Sequence, residues 1–150
     1  MATTTSEHSL KLLAKVIISK LENAKHIEFN PGQRNDVRDA LFRKMNENIL
    51  TEQALSQMVR DEISSKSQDI NDSNITETDA YKMRKKALKS QYEDNMIAGF
   101  YLKKTLRDVT AHLSGFFMKS PLIEEVFADD DVLKKIIQET ISTFDESKVV

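Results

Sequence analysis

The fold of this chain depends on one long segment, which reads TETDAYKMRKKALKSQYEDNMIAGFYLKKTLRDVTAHLSGFFMK and covers residues 76–119. Thr76 and Asp79 have the spacing of a capping box, which indicates a helix start. From there, residues recur every seven positions as they do along a coiled-coil seam. The pattern predicts one long central helix from about Glu77 to Lys119. The positions seven apart are Tyr81, Leu88, Asn95, Leu102, Val109 and Phe116.

A single helix of that length would be too long for a compact domain. At about 1.5 Å per residue it would span roughly 64 Å, whereas a compact chain of this size has a radius of gyration of about 15 Å. The helix must therefore bend, protrude or pack against another chain. Gly99 is the natural place for a bend, because glycine destabilises a helix interior by about 1 kcal/mol relative to alanine.

The rest of the chain also has helical periodicity. The 3 glycines, 2 prolines and absence of tryptophan favour helices over a turn-rich sheet protein. We expect an all-α helical bundle of five to six helices, with extended structure limited to three residues, Ile27 to Phe29. The polar stretch 64–74 is predicted to be a loop. The predicted core includes Leu13, Ile17, Leu41, Leu55, Leu106, Leu113 and Ile137.

Length favours a single helical domain over residues 1–150. A faint internal repeat suggests a finer division, because Ile27-Glu28-Phe29 is similar to Val126-Phe127 and each follows an amphipathic helix. Two degenerate halves, at about 10–99 and 100–144, would account for it. Short frayed termini are expected, including the tail Asp145 to Val150.

Composition limits the compartment and the chemistry. The chain has no cysteine, which excludes disulfides, iron–sulfur clusters and a cysteine nucleophile. Its first residues lack the basic and apolar regions of a secretory signal, and no apolar run approaches the roughly 20 residues of a membrane span. We expect a cytoplasmic protein with no membrane partner.

The segment from Leu10 to Gly99 resembles an uncharacterised bacterial family, Domain of Unknown Function 507. The shared features are a helix like Leu12 to Leu21, the short pair around Ile27-Glu28-Phe29, two helices, and a polar loop that leads to Tyr81-Lys82-Met83-Arg84-Lys85. Some family members carry two such units in tandem. The resemblance implies a bacterial, cytoplasmic, helical protein without an assigned activity, and a degenerate second unit over Leu102 to Phe144.

Enzymatic and metal-binding motifs are not found. Three glycines leave little material for a phosphate-binding loop or a nucleophile elbow. His112 follows Asp108 by one helical turn, which is typical of an ordinary helix pair. The stretch from Asp69 to Asn74 has calcium-loop spacing, but Ala80 stands where the bidentate glutamate is needed. We expect no enzyme activity, no cofactor, no metal and no small-molecule substrate.

The strongest surface feature is a basic run flanked by two tyrosines. Residues 81–119 carry nine basic and three acidic side chains, whereas residues 120–150 carry three and eight. The basic run could bind a partner, or the acidic C-terminal helices of the same chain could balance it, and the second interpretation is favoured. The candidate partner-binding residues are Tyr81, Lys82, Arg84, Lys85, Lys86, Lys89 and Tyr92.

The sequence therefore predicts a non-enzymatic interaction or structural protein, which associates with itself or with a protein partner. The alternative is a nucleic-acid-binding accessory protein that uses Lys82 to Lys89 together with Lys103, Lys104 and Arg107.

The apolar residues of the seam after Gly99 must be shielded from water by another helix. We expect the C-terminal helix to shield them, while a dimer through Tyr81, Leu88 and Tyr92 stays open. The covering residues would be Val132, Ile136, Ile137 and Ile141.

Overall fold

The computed structural model describes residues 5–149. Over this range the chain is predominantly helical, with seven α-helices, five very short strands and three single 3₁₀ turns. The helices are α1 (Glu7–Asn23), α2 (Arg34–Asn46), α3 (Glu52–Ser65), α4 (Ser67–Asp72), α5 (Glu77–Gln91), α6 (Leu106–Lys119) and α7 (Asp130–Thr143). The strands are β1 (Ile27–Glu28), β2 (Ile49–Leu50), β3 (Met96–Ile97), β4 (Phe100–Leu102) and β5 (Glu125–Val126).

The predicted long helix from Glu77 to Lys119 is wrong. The segment folds instead as α5, a β-hairpin formed by β3 and β4, and α6. The hairpin turn is Ala98-Gly99, and both residues have positive φ, 52° and 83°. Positive φ at both central positions is the signature of a tight type I′ hairpin turn, which cannot continue a helix. Thr105 then caps α6 by accepting a hydrogen bond from the Asp108 N–H at 3.2 Å.

The helix count of five to six and the restriction of strand to Ile27–Phe29 are also corrected. Two small antiparallel sheets are present, one of β1 and β5 and one in the order β2-β4-β3. The polar stretch 64–74, predicted to be a loop, contains the end of α3 and all of α4. Each strand is only two or three residues long, too short for the alternating pattern that identifies a strand from sequence.

The main core lies between α1, α2, α6 and α7. The expected internal cover of the seam after Gly99 is present, since Val109 and Leu113 of α6 lie in one buried cluster with Ile137 and Ile141 of α7. Of the four predicted covering residues, Val132 differs from expectation because it is 37% exposed, while Ile136 is partly buried and packs against the same cluster. Leu133 takes the place predicted for Val132. The predicted core residues Leu13, Ile17, Leu41, Leu113 and Ile137 are fully buried here, and Leu106 packs against them while partly exposed.

A second, smaller cluster holds α3 and α5 together, and the three helices α3, α4 and α5 are called the α3–α5 unit below. Leu55 and Val59 of α3 meet Leu88 of α5, and Leu50 and Tyr101 of the three-stranded sheet complete the cluster. Tyr81 and Tyr92 pack against its edge. The residues considered for a dimer contact, Tyr81, Leu88 and Tyr92, therefore find partners within the chain.

The two segments in the faint repeat lie side by side. Ile27 of β1 is paired with Val126 of β5. The helices that flank these strands also bury residues at matching spacings. Those of α1 are at 9, 10, 13, 14, 17, 18 and 21 and those of α6 at 109, 110, 113, 114 and 117, so the first five of α1 have the spacing of the five of α6, while α2 buries 37, 41 and 45 and α7 buries 133, 137, 140 and 141. The division into two degenerate halves stays a prediction, which these spacings favour.

The expected fraying of the C-terminal tail stays a prediction, and over the described residues the tail forms a short turn and one contact with α1. Glu146–Lys148 forms a 3₁₀ turn, and the Ser9 hydroxyl of α1 donates a 2.7 Å hydrogen bond to the Glu146 carboxylate. This contact ties the end of the chain to its first helix. Val150 and residues 1–4, which the same expectation included, lie outside the described residues.

Candidate partner-binding site

Helix α5 carries the predicted basic run, and its position follows from a cap and one buried side chain. Thr76 caps the helix, with its hydroxyl accepting from the Asp79 N–H at 3.1 Å. Among the residues of α5, all of which the structure describes, Leu88 is the buried one. A helix anchored at one apolar position presents most of its surface to solvent and to polar neighbours. The basic residues are therefore divided between a face toward α3 and an outer face.

Glu52, in the first turn of α3, forms ion pairs with two of the lysines. The Lys85 and Lys89 ammonium groups lie 3.0 Å and 3.2 Å from the same Glu52 carboxylate oxygen, Oε1. The Tyr101 hydroxyl of β4 donates a hydrogen bond to the other oxygen, Oε2. The side chain of Glu52 is only 18% exposed, so this carboxylate is fixed at the junction of α3, α5 and the sheet.

Arg84 is also paired with α3. Its Nε donates to Glu62 at 2.9 Å, and Lys66 contacts the same carboxylate at 3.3 Å. Three of the five predicted basic residues are thus already bonded within the α3–α5 unit. The predicted balance of charge is present here, but its source differs from the expectation.

The acidic C-terminal helix does not lie against the basic run. Helix α7 packs on α6 and α1, and Asp130 at its start is paired with Lys134 at 2.6 Å and with the Ser114 hydroxyl. Among the described residues, no acid of 120–149 forms an ion pair with a basic residue of α5. The segment charges counted along the sequence give no information on which acid faces which base. The acids that pair with the basic run are Glu52 and Glu62 of α3.

Lys82 and Lys86 remain unpaired, as no acidic side chain within residues 5–149 forms an ion pair with either of them. Both lie on a shallow surface groove of about 590 Å³, which we call the lysine groove. It combines ammonium groups with the Tyr81 ring and the 47% exposed side chain of Met96. The residues that line the lysine groove are Tyr81, Lys82, Lys85, Lys86, Lys89, Ser90, Glu93 and Met96.

The two flanking tyrosines have different positions. Tyr81 lines the groove, and the Lys85 ammonium and Arg60 guanidinium lie 5.7 Å and 6.0 Å from its ring centroid, within the range of cation–π attraction. Tyr92 does not line the groove. Its ring packs toward Tyr101 with centroids 6.5 Å apart, at the edge of the second cluster.

The electrostatics of Glu52 and its neighbours follow from these contacts. Partial burial raises the pKa of the Glu52 carboxyl, but hydrogen bonds from Tyr101, Lys85 and Lys89 outweigh it and hold the pKa below its usual value. The hydrogen bond to Glu52 raises the pKa of Lys85 above its usual value. Burial, with the adjacent Glu52 charge, raises the pKa of the Tyr101 phenol. At neutral pH the Glu52 carboxyl is therefore ionised, the Lys85 amine is protonated and the Tyr101 phenol is neutral.

Sequence reasoning missed Ser90, Glu93 and Met96 in the groove and Glu52 behind it. Met96 is brought to the groove by β3, which the long-helix interpretation had placed in the interior of a helix. Glu52 lies 33 positions before Lys85 along the chain, so only the packing of α3 on α5 reveals their pairing. Glu52 directly follows the capping residue Thr51, and the helix dipole alone explains an acid in the first turn of a helix. The sequence therefore gave no sign that Glu52 pairs with α5.

The remaining candidate residues form no site. His112 contacts Glu47, the residue directly after α2, at 2.8 Å rather than Asp108. The stretch from Asp69 to Asn74 is mostly helical, as part of α4. Within the described part of the chain, no group of three or more potential ligands could hold a metal ion. Arg107 lies on α6 and does not line the groove.

These features define a predominantly helical protein with a lysine-lined groove on its α3–α5 unit. A family model described as a protein of unknown function (DUF507) matches residues 5–149. Because the match covers nearly the whole chain, the chain belongs to this family. The match extends well beyond the resemblance over Leu10 to Gly99 that the sequence indicated. A search of curated proteins found no match to this chain.

The helices were also compared with the requirements of a membrane span. Over residues 5–149, none of them combines the length and the apolar character that crossing a membrane requires.

Proposed function

We propose that this chain is a non-enzymatic interaction protein that binds an acidic segment of a protein partner in the lysine groove. The observation that carries the proposal is the pair of groove lysines, Lys82 and Lys86, that no described acid neutralises. They lie beside apolar surface supplied by Tyr81 and Met96. Unpaired charge next to accessible apolar surface suits a partner with both carboxylates and apolar side chains.

The groove fits one face of a helix-sized partner. Lys82, Lys86 and Lys89 follow each other at four- and three-residue spacing, so their stems form a row of about 10 Å along α5. Carboxylates spaced one helical turn apart on a partner would meet successive ammonium groups. The lysine stems add apolar contact area below their charged ends. Recognition would therefore depend on both charge and burial of apolar surface.

Nucleic acid is the second candidate, and the groove supports it less well. Nucleic-acid surfaces are strongly positive overall and rich in arginine. Here Arg84 is bonded to Glu62, Glu93 lies in the groove itself, and the chain carries a net charge of −2. Arg107, which the nucleic-acid hypothesis included, lies on α6 and does not line the groove. The other two residues that this hypothesis included outside α5, Lys103 and Lys104, follow β4 and are exposed.

Self-association through the apolar seam is not part of this proposal. The seam residues after Gly99 pack against α7. Tyr81 and Tyr92, which precede Gly99, pack against the second cluster. The absence of catalytic activity and a location in the bacterial cytoplasm remain part of the proposal, on the basis of composition and the family resemblance.

A charge-reversal experiment tests the proposal. Lys82→Glu with Lys86→Glu should weaken the binding of a fluorescent Glu-rich peptide containing leucines by about tenfold or more, because each exposed ion pair is worth up to about 1 kcal/mol and reversal adds repulsion. Lys15→Glu with Lys20→Glu is the matched control. It places the same charge change on two exposed lysines of α1 and should alter binding less than about threefold.

The same variants are measured with single-stranded and double-stranded DNA and with RNA. Peptide binding that the groove reversal removes and the α1 reversal leaves intact supports the proposal. Loss of nucleic-acid binding on groove reversal, with no peptide binding by the wild-type chain, would replace it with the second candidate. Equal effects of the two reversals would show that attraction depends on overall charge rather than on the groove.

A further inference from the structure

Glu52 is the one acid that bonds directly to lysines of the groove among the described residues. It accepts contacts from Lys85 and Lys89 at 3.0 Å and 3.2 Å. A partner that brought several carboxylates into the groove would use these ammonium groups as well as those of Lys82 and Lys86. The structure therefore contains, at the wall of the groove, a carboxylate that occupies part of the surface a partner would use.

The position of Glu52 does not depend on the two lysines. The Tyr101 hydroxyl holds its Oε2, and its backbone N–H donates to the Thr5 hydroxyl at 2.8 Å. Thr5 in turn donates to the Gly99 carbonyl at 2.8 Å, which links Glu52 to the hairpin turn. The carboxylate is thus fixed by the sheet and the N-terminal segment, and it would stay in place if the lysines turned away.

The two lysines, in contrast, are free to exchange partners. Lys89 is 43% exposed and Lys85 is 24% exposed, and each has a long flexible stem that can reach either side of its position on the helix. Ion pairs that water reaches contribute little stability, so replacing one carboxylate by another has a small cost. The groove can therefore present two ammonium groups, Lys82 and Lys86, or four.

We propose that Glu52 is an internal competitor of the acidic partner: it holds Lys85 and Lys89 in the unbound protein, and a partner's carboxylates displace it from them on binding. This inference rests on the proposed function of the lysine groove. It specifies the chemistry of the partner more closely, because only a ligand with several closely spaced carboxylates gains enough from four ammonium groups to displace Glu52. A ligand with a single carboxylate would contact Lys82 and Lys86 and leave Glu52 bonded.

Neutralising Glu52 tests the competition. Glu52→Gln keeps an acceptor for Tyr101 and a side chain of the same size, but removes the charge that retains the two lysines. The variant should bind the Glu-rich peptide about threefold to tenfold more tightly than the wild type. Its affinity should also fall more steeply with salt, since more ion pairs form on binding.

Glu62→Gln is the matched control. It removes one negative charge from the same helix, but Glu62 bonds to Arg84 and Lys66 and does not touch the groove. A gain in affinity for Glu52→Gln well above that for Glu62→Gln supports the competition. Equal affinities of the two variants overturn it and leave the proposed function intact. Failure of the wild type and both variants to bind the peptide overturns the proposed function itself.

A measurement on the wild-type protein tests the inference even if a variant fails to fold. Side-chain NMR signals of Lys85 and Lys89 should shift when the wild-type chain is saturated with the Glu-rich peptide, and should shift little with acetate at a matched carboxylate concentration. Signals that stay unchanged while those of Lys82 and Lys86 move would show that Glu52 is not displaced. That outcome would overturn the inference whatever the behaviour of the variants.

Discussion

Leu88→Ala should loosen α5 without unfolding the main core. Leu88 is the buried residue of α5 and is 6% exposed. Its partners, Leu50, Leu55, Val59 and Tyr101, form a cluster separate from the main one. Truncating a buried leucine to alanine costs about 2–5 kcal/mol, depending on how far the surroundings collapse. Because Leu88 keeps a small exposed fraction, we expect a cost at the lower end of this range, about 2–3 kcal/mol.

The loss should be local because α5 is held mainly by this cluster. Its other links to α3 are the packing of Tyr81 at the cluster's edge, with Arg60 over its ring, and the ion pairs of Arg84, Lys85 and Lys89, each worth up to about 1 kcal/mol where exposed. Hydrogen exchange by mass spectrometry measures the effect directly. Amides of α5 should exchange about thirtyfold to a hundredfold faster, the equivalent of 2–3 kcal/mol, while those of α1 and α7 should change less than about twofold.

Two control variants show how small and how widespread a change in hydrogen exchange can be. Met83→Ala, on the same helix but 63% exposed, should alter exchange within about 0.5 kcal/mol. Leu113→Ala removes a fully buried side chain of the main core and should accelerate exchange in all the helices that pack there. Equal acceleration of α1 and α5 by Leu88→Ala would refute the separation of the two clusters. No acceleration in α5 would refute the packing described for Leu88.

Three further predictions concern the connections between the helices. Ala98→Gly should stabilise the fold by about 1 kcal/mol in thermal or urea unfolding, because alanine at φ 52° is strained and glycine is not. A destabilised variant would contradict that turn geometry. Thr5→Val should cost about 1–3 kcal/mol in the same assay, because it leaves the Gly99 carbonyl and the Glu52 N–H without their partner; an unchanged midpoint would contradict these bonds. The His112 hydrogen bond lowers the pKa of Glu47, so the pair stabilises the fold above the usual titration range of glutamate and less as the pH falls through the folded-state pKa. His112→Ala should return that pKa toward its usual value in an NMR titration, and a pKa that stays low would assign the shift to another group.

Helix positions could be predicted wherever apolar periodicity and a cap agreed. Thr76 accepts a hydrogen bond from the backbone N–H three residues on, as its position suggested, and Thr51 and Asp129 do the same at the starts of α3 and α7. The burial of Leu113 and Ile137 in one core also followed from periodicity. These are local signals, since a cap or an amphipathic face is encoded within a few turns of one helix.

The β-hairpin at Ala98-Gly99 could not be predicted from the seven-residue pattern, which continued through it by coincidence. Asn95 and Leu102 satisfied the spacing, although Leu102 lies in a strand and Asn95 in a 3₁₀ turn. A signal was present in the flanking residues, because Met96-Ile97 and Phe100-Tyr101-Leu102 are apolar or aromatic on both sides of a two-residue turn. The strands were too short for alternation to reveal them.

The candidate site could be predicted only in part, because its composition is local but its pairing is not. The basic run on α5 was visible in the sequence, and Lys82, Lys85, Lys86 and Lys89 do lie on one groove. Which of them are already bonded depends on the tertiary packing that brings Glu52 of α3 beside them. Charge totals along the sequence pointed to the wrong acids for that reason.

The most direct measurement of the central claim is a backbone NMR titration of the ¹⁵N-labelled chain with the Glu-rich peptide. If the lysine groove is the binding surface, the shifted amides should lie along α5 from Tyr81 onward and around Glu93 and Met96. Amides near Lys15 and Lys20 on α1 should stay unchanged. Shifts spread over exposed lysines throughout the molecule, or confined to α1 or α6, would contradict the account.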